Sequence, residues 1–302
     1  MFRSMARWLA IGGAVAATGS WLSRYLRPLQ STLTLNEAVV IITGASAGIG
    51  RAYAEAFAKR GARVVLAARR ADLLEDLRLH IETYASDVLA IPTDVNSEDD
   101  LRRLVDQTMQ HYGRIDILVN NAGADAGGQL YSISLDEIRT LVRTNLEAPM
   151  SLTHLVLPTM LAQRSGKIVN IASIAGRIAQ AASTVYSSSK IGLMGFSDAL
   201  RRELVGTGID VITVLPTWTR TAMVTPEINK QVNFVDDPTA VAERTIEGML
   251  MGESEIVFGG NIMKLGLFVE RHFPALMDLY WRSELTPQYS EAMRSNSQIG
   301  RN

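Results

Sequence analysis

Apolar and polar positions alternate along this chain in two different periods. Short runs of aliphatic, often β-branched residues recur: AVVIITG at 38–44, ARVVLAA at 62–68, a run within DVLAIPTDV at 87–95, RIDILVNNAG at 114–123, GKIVNIASIAG at 166–176, GIDVITVLP at 208–216 and EIVFGG at 255–260. Between them lie longer stretches at 48–60, 72–84, 98–112, about 134–164, 184–206 and 238–250 that read as helical. The short runs suit strands and the longer stretches amphipathic helices. The punctuation agrees, since Gly61 and Gly113 end two helical stretches and Ser97, followed by acids, opens one.

The strands are apolar on both faces, and strand and helix alternate strictly. That pattern predicts an α/β fold: a doubly wound, Rossmann-type, mostly parallel seven-stranded sheet with helices on both faces, joined by right-handed crossovers. No repeat or long low-complexity linker interrupts it, so residues 37–260 are expected to form a single domain. An N-terminal segment, 1–36, and a C-terminal apolar helix with a polar tail, 261–302, flank it.

Composition narrows the function. The 302 residues suffice for one large core. With 30 basic and 31 acidic residues there is no global footprint for nucleic acid. The absence of cysteine excludes disulfides, thiolate nucleophiles and cysteine zinc sites. The four histidines are scattered, so no metal site is expected. Residues 1–36 contain Arg3, Arg7, Arg24 and Arg27 and no acid, around an uncharged run of 16 residues. As a helix that run is about 24 Å long, short of the roughly 30 Å hydrocarbon core. A cleaved signal, an organellar presequence, a retained anchor with interfacial Trp8 and Trp21, and a packed helix all fit it. A retained membrane-associated segment is the reading adopted.

Candidate chemistry begins after the first strand, at TGASAGIG, with Thr43, Gly44, Ser46, Gly48, Ile49 and Gly50. Its glycines are not spaced as in the usual dinucleotide fingerprint, but a turn without Cβ atoms equally lets a pyrophosphate reach the backbone and a helix N-terminus. The second strand ends at Arg69-Arg70, where a doubly wound sheet faces the adenosine ribose. A cation there accommodates the 2′-phosphate of NADP, which makes Arg69 the leading contact, Arg70 its assistant, and NAD the less favoured cofactor. Asp94 and Val95 end the third strand, where a carboxylate can accept from the adenine amino group. A plain tight turn and solvated arginines would leave the same letters. Further on, YSSSK places Tyr186 and Lys190 four apart, on one face of a helix, where the cation favours the phenolate and lowers the tyrosine pKa. A solvated surface pair has the same spacing.

Taken together, TGASAGIG (43–50), DV (94–95), NNAG (120–123), Asn145, Ser173 in NIASIAG, YSSSK (186–190) and Pro216 with Thr221 resemble the short-chain dehydrogenase/reductase family in its smaller single-domain form, over about residues 38–258. The resemblance implies that Tyr186 is the general acid/base and that Lys190 holds its pKa down and binds the nicotinamide ribose. It implies that Ser173 donates to the same substrate oxygen and that Asn145 holds a water linking Lys190 to solvent. It also implies that Asn121, Ala122 and Gly123 pass close to the cofactor, with Pro216 nearby and Thr221 at the nicotinamide carboxamide. One departure stands out: Thr217 follows Pro216 where the family usually has glycine, which puts the course of loop 217–237 in question.

That loop carries Trp218, Met223, Val224, Phe234 and Val235 over the expected substrate site. It suits an apolar substrate, or simply packs on the body. The apolar tail around 262–281 suits a membrane, a subunit interface or intramolecular packing. The expectation is an NADP-dependent oxidoreductase interconverting a carbonyl and an alcohol on a lipophilic small molecule. It would be a homo-oligomer, dimer or tetramer, at a membrane surface in an NADP-containing compartment, or otherwise cytoplasmic. The alternatives are a non-catalytic NADP-binding sensor or scaffold and, more remotely, nucleotide-sugar epimerase or dehydratase chemistry.

Overall fold

Seven strands lie parallel in one sheet, in the order β3-β2-β1-β4-β5-β6-β7. They are β1 (Val39–Thr43), β2 (Arg63–Ala68), β3 (Val88–Pro92), β4 (Ile117–Asn120), β5 (Gly166–Ile171), β6 (Ile209–Leu215) and β7 (Glu255–Val257). Helices alternate with them: α1 (Gly48–Ala58), α2 (Ala71–Glu82), α3 (Glu98–Tyr112), α4 (Leu135–Val142), α5 (Ala148–Gln163), α6 (Thr184–Glu203) and α7 (Pro238–Leu250). After β7 come α8 (Gly260–His272) and α9 (Pro274–Glu284). The computed structural model describes residues 33–84, 87–221 and 235–284, together with Tyr289, Glu291 and Arg294. The N-terminal segment up to residue 32, Met223, Val224, Phe234 and most of the polar tail lie outside the described residues.

Each central strand is buried on both faces, which is why its sequence runs apolar without alternation. Val40, Ile42, Val64 and Leu66 face one core with Tyr53 and Phe57 of α1, Leu77 of α2 and Ile246 of α7. Val39, Ile41, Val65 and Ala67 face the other with Leu104 of α3, Val156 of α5 and Leu200 of α6. At roughly 1.5–3 kcal/mol for each large apolar side chain buried, these two layers are the main source of stability.

Two expected helices are broken. The stretch 134–164 divides at a π-helical turn, Arg143–Glu147, where the N–H of Ala148 reaches the carbonyl of Arg143. Pro149, at the start of α5, has no N–H for the carbonyl of Asn145, so an α-type bond is missing at this point. The apolar tail divides into α8 and α9 at Phe273, whose backbone (φ −139°, ψ 57°) is not helical, consistent with the following Pro274 disfavouring the helical region.

At the N-terminal edge of the sheet, Asp116 is fully buried. Its carboxylate accepts from the N–H of Val39 at 2.9 Å and from both donor nitrogens of Arg114 at 2.9 and 2.7 Å. It thereby joins the starts of β1 and β4. Asp116→Ala leaves the buried Val39 N–H without its acceptor and is expected to lower stability by about 2–3 kcal/mol. Arg114→Ala removes only a half-exposed partner and should cost less than about 1 kcal/mol. Urea unfolding followed by circular dichroism checks both through the midpoint at constant slope.

Candidate active site

Strand order reverses between β1 and β4, so the turns that leave them diverge and open a crevice at the C-terminal edge. The turn after β1 is packed too tightly for side chains. A Cβ on Gly50 would lie 2.2 Å from the carbonyl oxygen of Gly44, and one on Gly44, whose φ is +66°, would lie 2.9 Å from Cα of Ala122. The turn opens directly into the N-terminus of α1, the kind of place where an anionic group can be held. The Thr221 methyl lies 2.9 Å from where a Gly48 Cβ would stand, which places Thr221 over this turn.

Thr43 and Asn121 use their side chains to build the crevice. The Thr43 hydroxyl accepts from the N–H groups of Asn121 and Ala122, both at 3.0 Å, and donates to the carbonyl of Val119. The Asn121 amide donates to the carbonyl of Thr43 at 2.9 Å. What these residues offer a ligand is backbone. Asp94 accepts from the N–H of Asn96 at 3.0 Å and so shapes the turn after β3, and Val95 packs partly against the second core. At the end of β2 the arginines separate. Arg70 donates to the Ser46 hydroxyl at 3.0 Å and so lies at the glycine turn; both Arg69 and Arg70 are exposed.

The four expected catalytic residues converge from three segments. Asn145, fully buried on the π-helical turn, accepts from the N–H of Ala124 at 2.8 Å and donates to its carbonyl at 2.9 Å and to the Ser189 hydroxyl at 3.1 Å. Ser173 follows β5, and its hydroxyl accepts from the N–H of Ala175 at 3.1 Å. The Tyr186 phenol lies near enough to the Ser173 side chain for the serine to affect its proton affinity. Lys190 is buried, with Nζ donating to the carbonyl of Ile171 at 2.9 Å and lying 5.7 Å from the Tyr186 ring centre. Behind them a buried ladder sets β5 against α6: Asn120 donates to Asn170 at 2.8 Å, and Asn170 to Ser197 at 2.8 Å. Periodicity gave no sign of this ladder, although buried asparagines within apolar strands were the signal available.

The electrostatics differ from the sequence expectation. Burial pushes the Tyr186 phenol well above its ordinary value, the Asp125 charge adds to the rise, and the Ser173 hydrogen bond opposes it. Burial lowers Lys190 to about 8, against the supporting charge of Asp125. A cation four residues away does not draw the phenol down, because Lys190 is directed to the Ile171 carbonyl and is itself disfavoured by desolvation. Asp125 was missed from sequence, where it is one acid among the small residues after NNAG.

Thr217 needs no left-handed backbone, which accounts for its tolerance in place of glycine. Its hydroxyl donates to Asp236, and the N–H of Asp236 donates to the carbonyl of Trp218 at 2.7 Å, so the two ends of the loop are tied together. The carbonyl of Pro216 accepts from the N–H of Ile174 at 3.0 Å, joining this loop to the Ser173 turn. Beyond it, α8 and α9 leave Ile262, Leu265, Phe268, Phe273, Leu276 and Leu279 exposed. No helix among the described residues is long and apolar enough to cross a membrane.

The chain is similar to known proteins. A model of the short chain dehydrogenase family matches residues 38–232. Ketoacyl reductase HetN of Nostoc sp. is 36% identical over 257 residues, spanning 82% of this chain and 90% of that protein. An uncharacterized oxidoreductase of Staphylococcus aureus is 32% identical over 212 residues, spanning 70% of this chain and 90% of that protein. Among solved structures, a short chain dehydrogenase/reductase of Burkholderia phymatum in complex with NAD has a TM-score of 0.76 at 22% identity, covering 82% of this chain and 97% of that one. A metagenomic short-chain oxidoreductase in complex with NADP has a TM-score of 0.66 at 30% identity, covering 75% and 98%. This chain belongs to the short-chain dehydrogenase/reductase family of oxidoreductases.

Proposed function

We propose that this protein interconverts a carbonyl and an alcohol on a lipophilic small molecule, with NADP(H) favoured over NAD and Tyr186 as general acid/base. The observation that carries the reading is the convergence of Ser173 and Tyr186 with a buried lysine, Nζ of Lys190 lying 5.7 Å from the Tyr186 ring centre. The turn around Gly44 and Gly50 fits a dinucleotide, because its glycines let the chain pack against Asn121 and Ala122 in a tight turn that opens a helix after the first strand. The turn from Thr43 to Gly50, Arg70 with Arg69, the backbone of Asn121 to Gly123, Lys190 and Thr221 would hold it. The nicotinamide, when bound, supplies or accepts the hydride. NADP is favoured because Arg70 is drawn to the glycine turn and no acid ends β2.

The chain's own residues handle the proton and the developing charge. As a carbonyl oxygen gains negative charge, the hydroxyls of Ser173 and Tyr186 stabilise it as donors fixed in advance. Tyr186 then gives up its proton, and the nearby Lys190 ammonium offsets the phenolate left behind. The doubled hydrogen bond from Asn145 to Ala124 holds the β4 exit against this group. Support for a lipophilic substrate and a membrane-surface location comes from the exposed apolar stripe of α8 and α9 and from the acid-free, arginine-bearing residues 1–36. The same stripe suits pairing in a homo-oligomer.

Tyr186→Phe should retain cofactor binding within about threefold while kcat falls by about 10²–10⁴, measured by coenzyme fluorescence and absorbance on a carbonyl panel. Unchanged turnover would remove Tyr186 from the chemistry. Arg70→Ala should weaken NADP binding about 10–100-fold and leave NAD nearly unaffected, by calorimetric titration; equal losses for both cofactors would refute the 2′-phosphate contact. In detergent-free fractionation the full chain should sediment with membranes, whereas a chain beginning near Leu35 should shift to the supernatant. Identical partition of the two would dismiss residues 1–34 as an anchor.

A further inference from the structure

One acidic side chain stands among the catalytic groups without a part in the chemistry above. Asp125 follows the turn after β4, and the residues on either side of it are fixed. Ala124 is bound to Asn145 through both its N–H and its carbonyl. Ala126 is buried in an apolar cluster with Val185, and Tyr186 packs against that cluster. Just before them, Nζ of Lys190 lies 3.8 Å from where a Cβ on Gly123 would stand. The segment 123–126 thus runs along the face of α6 that carries Tyr186 and Lys190, and the Oδ1 atom of Asp125 is buried there.

Neighbouring charges on the packed elements are engaged elsewhere. On α4 and the turn before it, Asp136 pairs with Arg139, and Glu137 pairs with Arg294 and bonds Ser134. After the Ser173 turn, Arg177 pairs with Glu255. Among the described residues, Asp125 is the carboxylate whose charge both Tyr186 and Lys190 feel. The motifs that mark the family assign it nothing.

We propose that Asp125 is a positioning residue of the site, whose carboxylate, on the segment packed along Tyr186 and Lys190, holds the resting site in its proton-donating form. Carbonyl reduction needs that form, whereas alcohol oxidation needs the phenolate. The proposal rests on the reading of Tyr186 as acid/base, so its test has one arm that requires no turnover.

The full chain holds five lysines, so the side-chain ammonium signals of isotopically labelled lysine can be followed by NMR across pH, with Lys190→Arg assigning the signal. Lys190 is expected to titrate near 8 in the native chain. In Asp125→Asn its midpoint should fall by about one unit, a tenfold loss of proton affinity, while Asp125→Glu should stay close to native. Asp125→Ser is the second neutral variant, with the same expected fall, should the asparagine form fold poorly. In the kinetic arm, the pH midpoint of alcohol oxidation should move down by about a unit in the neutral variants while the limiting rate stays within a few-fold. A purely structural role would lower the rate at every pH and leave both midpoints in place, and that result overturns the proposal. A shifted Lys190 midpoint in a protein that turns over no carbonyl or alcohol supports the charge coupling and refutes the proposed reaction instead.

Discussion

Asn145 closes both backbone hydrogen bonds of Ala124, and the site depends on that clamp. The asparagine stands on a π-helical turn where the helix has lost one regular bond, so its side chain is turned toward the exit of β4. π-Bulges of this kind carry a local cost and persist where the surroundings hold them. Here they are held by Pro149 on one side and by the Ser189 hydroxyl on the other. The clamp fixes the distance between the β4 exit and α6, and with it the space in which Tyr186, Lys190 and Asp125 interact.

Around it, the chain meets the needs of its own backbone with side chains that also shape the crevice. The Thr43 hydroxyl serves two N–H groups and one carbonyl, so the turns after β1 and β4 are joined through one oxygen. The Asn120–Asn170–Ser197 ladder does the same between β4, β5 and α6 in a dry interior, where an unmade bond would cost more than in water. These polar groups contribute modestly to net stability, but each has one arrangement in which all partners are satisfied.

The same burial that orders the site sets its charges. A phenol and an ammonium removed from water each favour the neutral form, so Tyr186 moves up and Lys190 moves down. Neither shift arises from the other member of the pair alone. The carboxylate of Asp125 opposes the loss of charge on lysine and reinforces the retention of the proton on tyrosine, so the two titrations are linked through a third residue.

Much of this was legible in the linear chain. The continuous apolar runs at 39–43 and 166–171 identify strands buried on both faces, because water-facing strands alternate. The glycines at 44 and 50 identify a turn with no room for Cβ, and the order of the short motifs identifies the family. Other features depend on contacts between distant segments, which no local pattern encodes. The π-helical turn at Asn145 requires Ala124, 21 residues away, to be its partner. The contact of Arg70 with Ser46 joins residues 24 apart in the chain. The direction of the Tyr186 shift depends on depth in the fold and on Asp125, whereas spacing along one helix spoke only of Lys190. Periodicity and steric rules act within a few residues, and so the sequence alone determined the elements and their order. Desolvation and cross-chain hydrogen bonds act through space, and so only the tertiary structure decided how the site is charged and held.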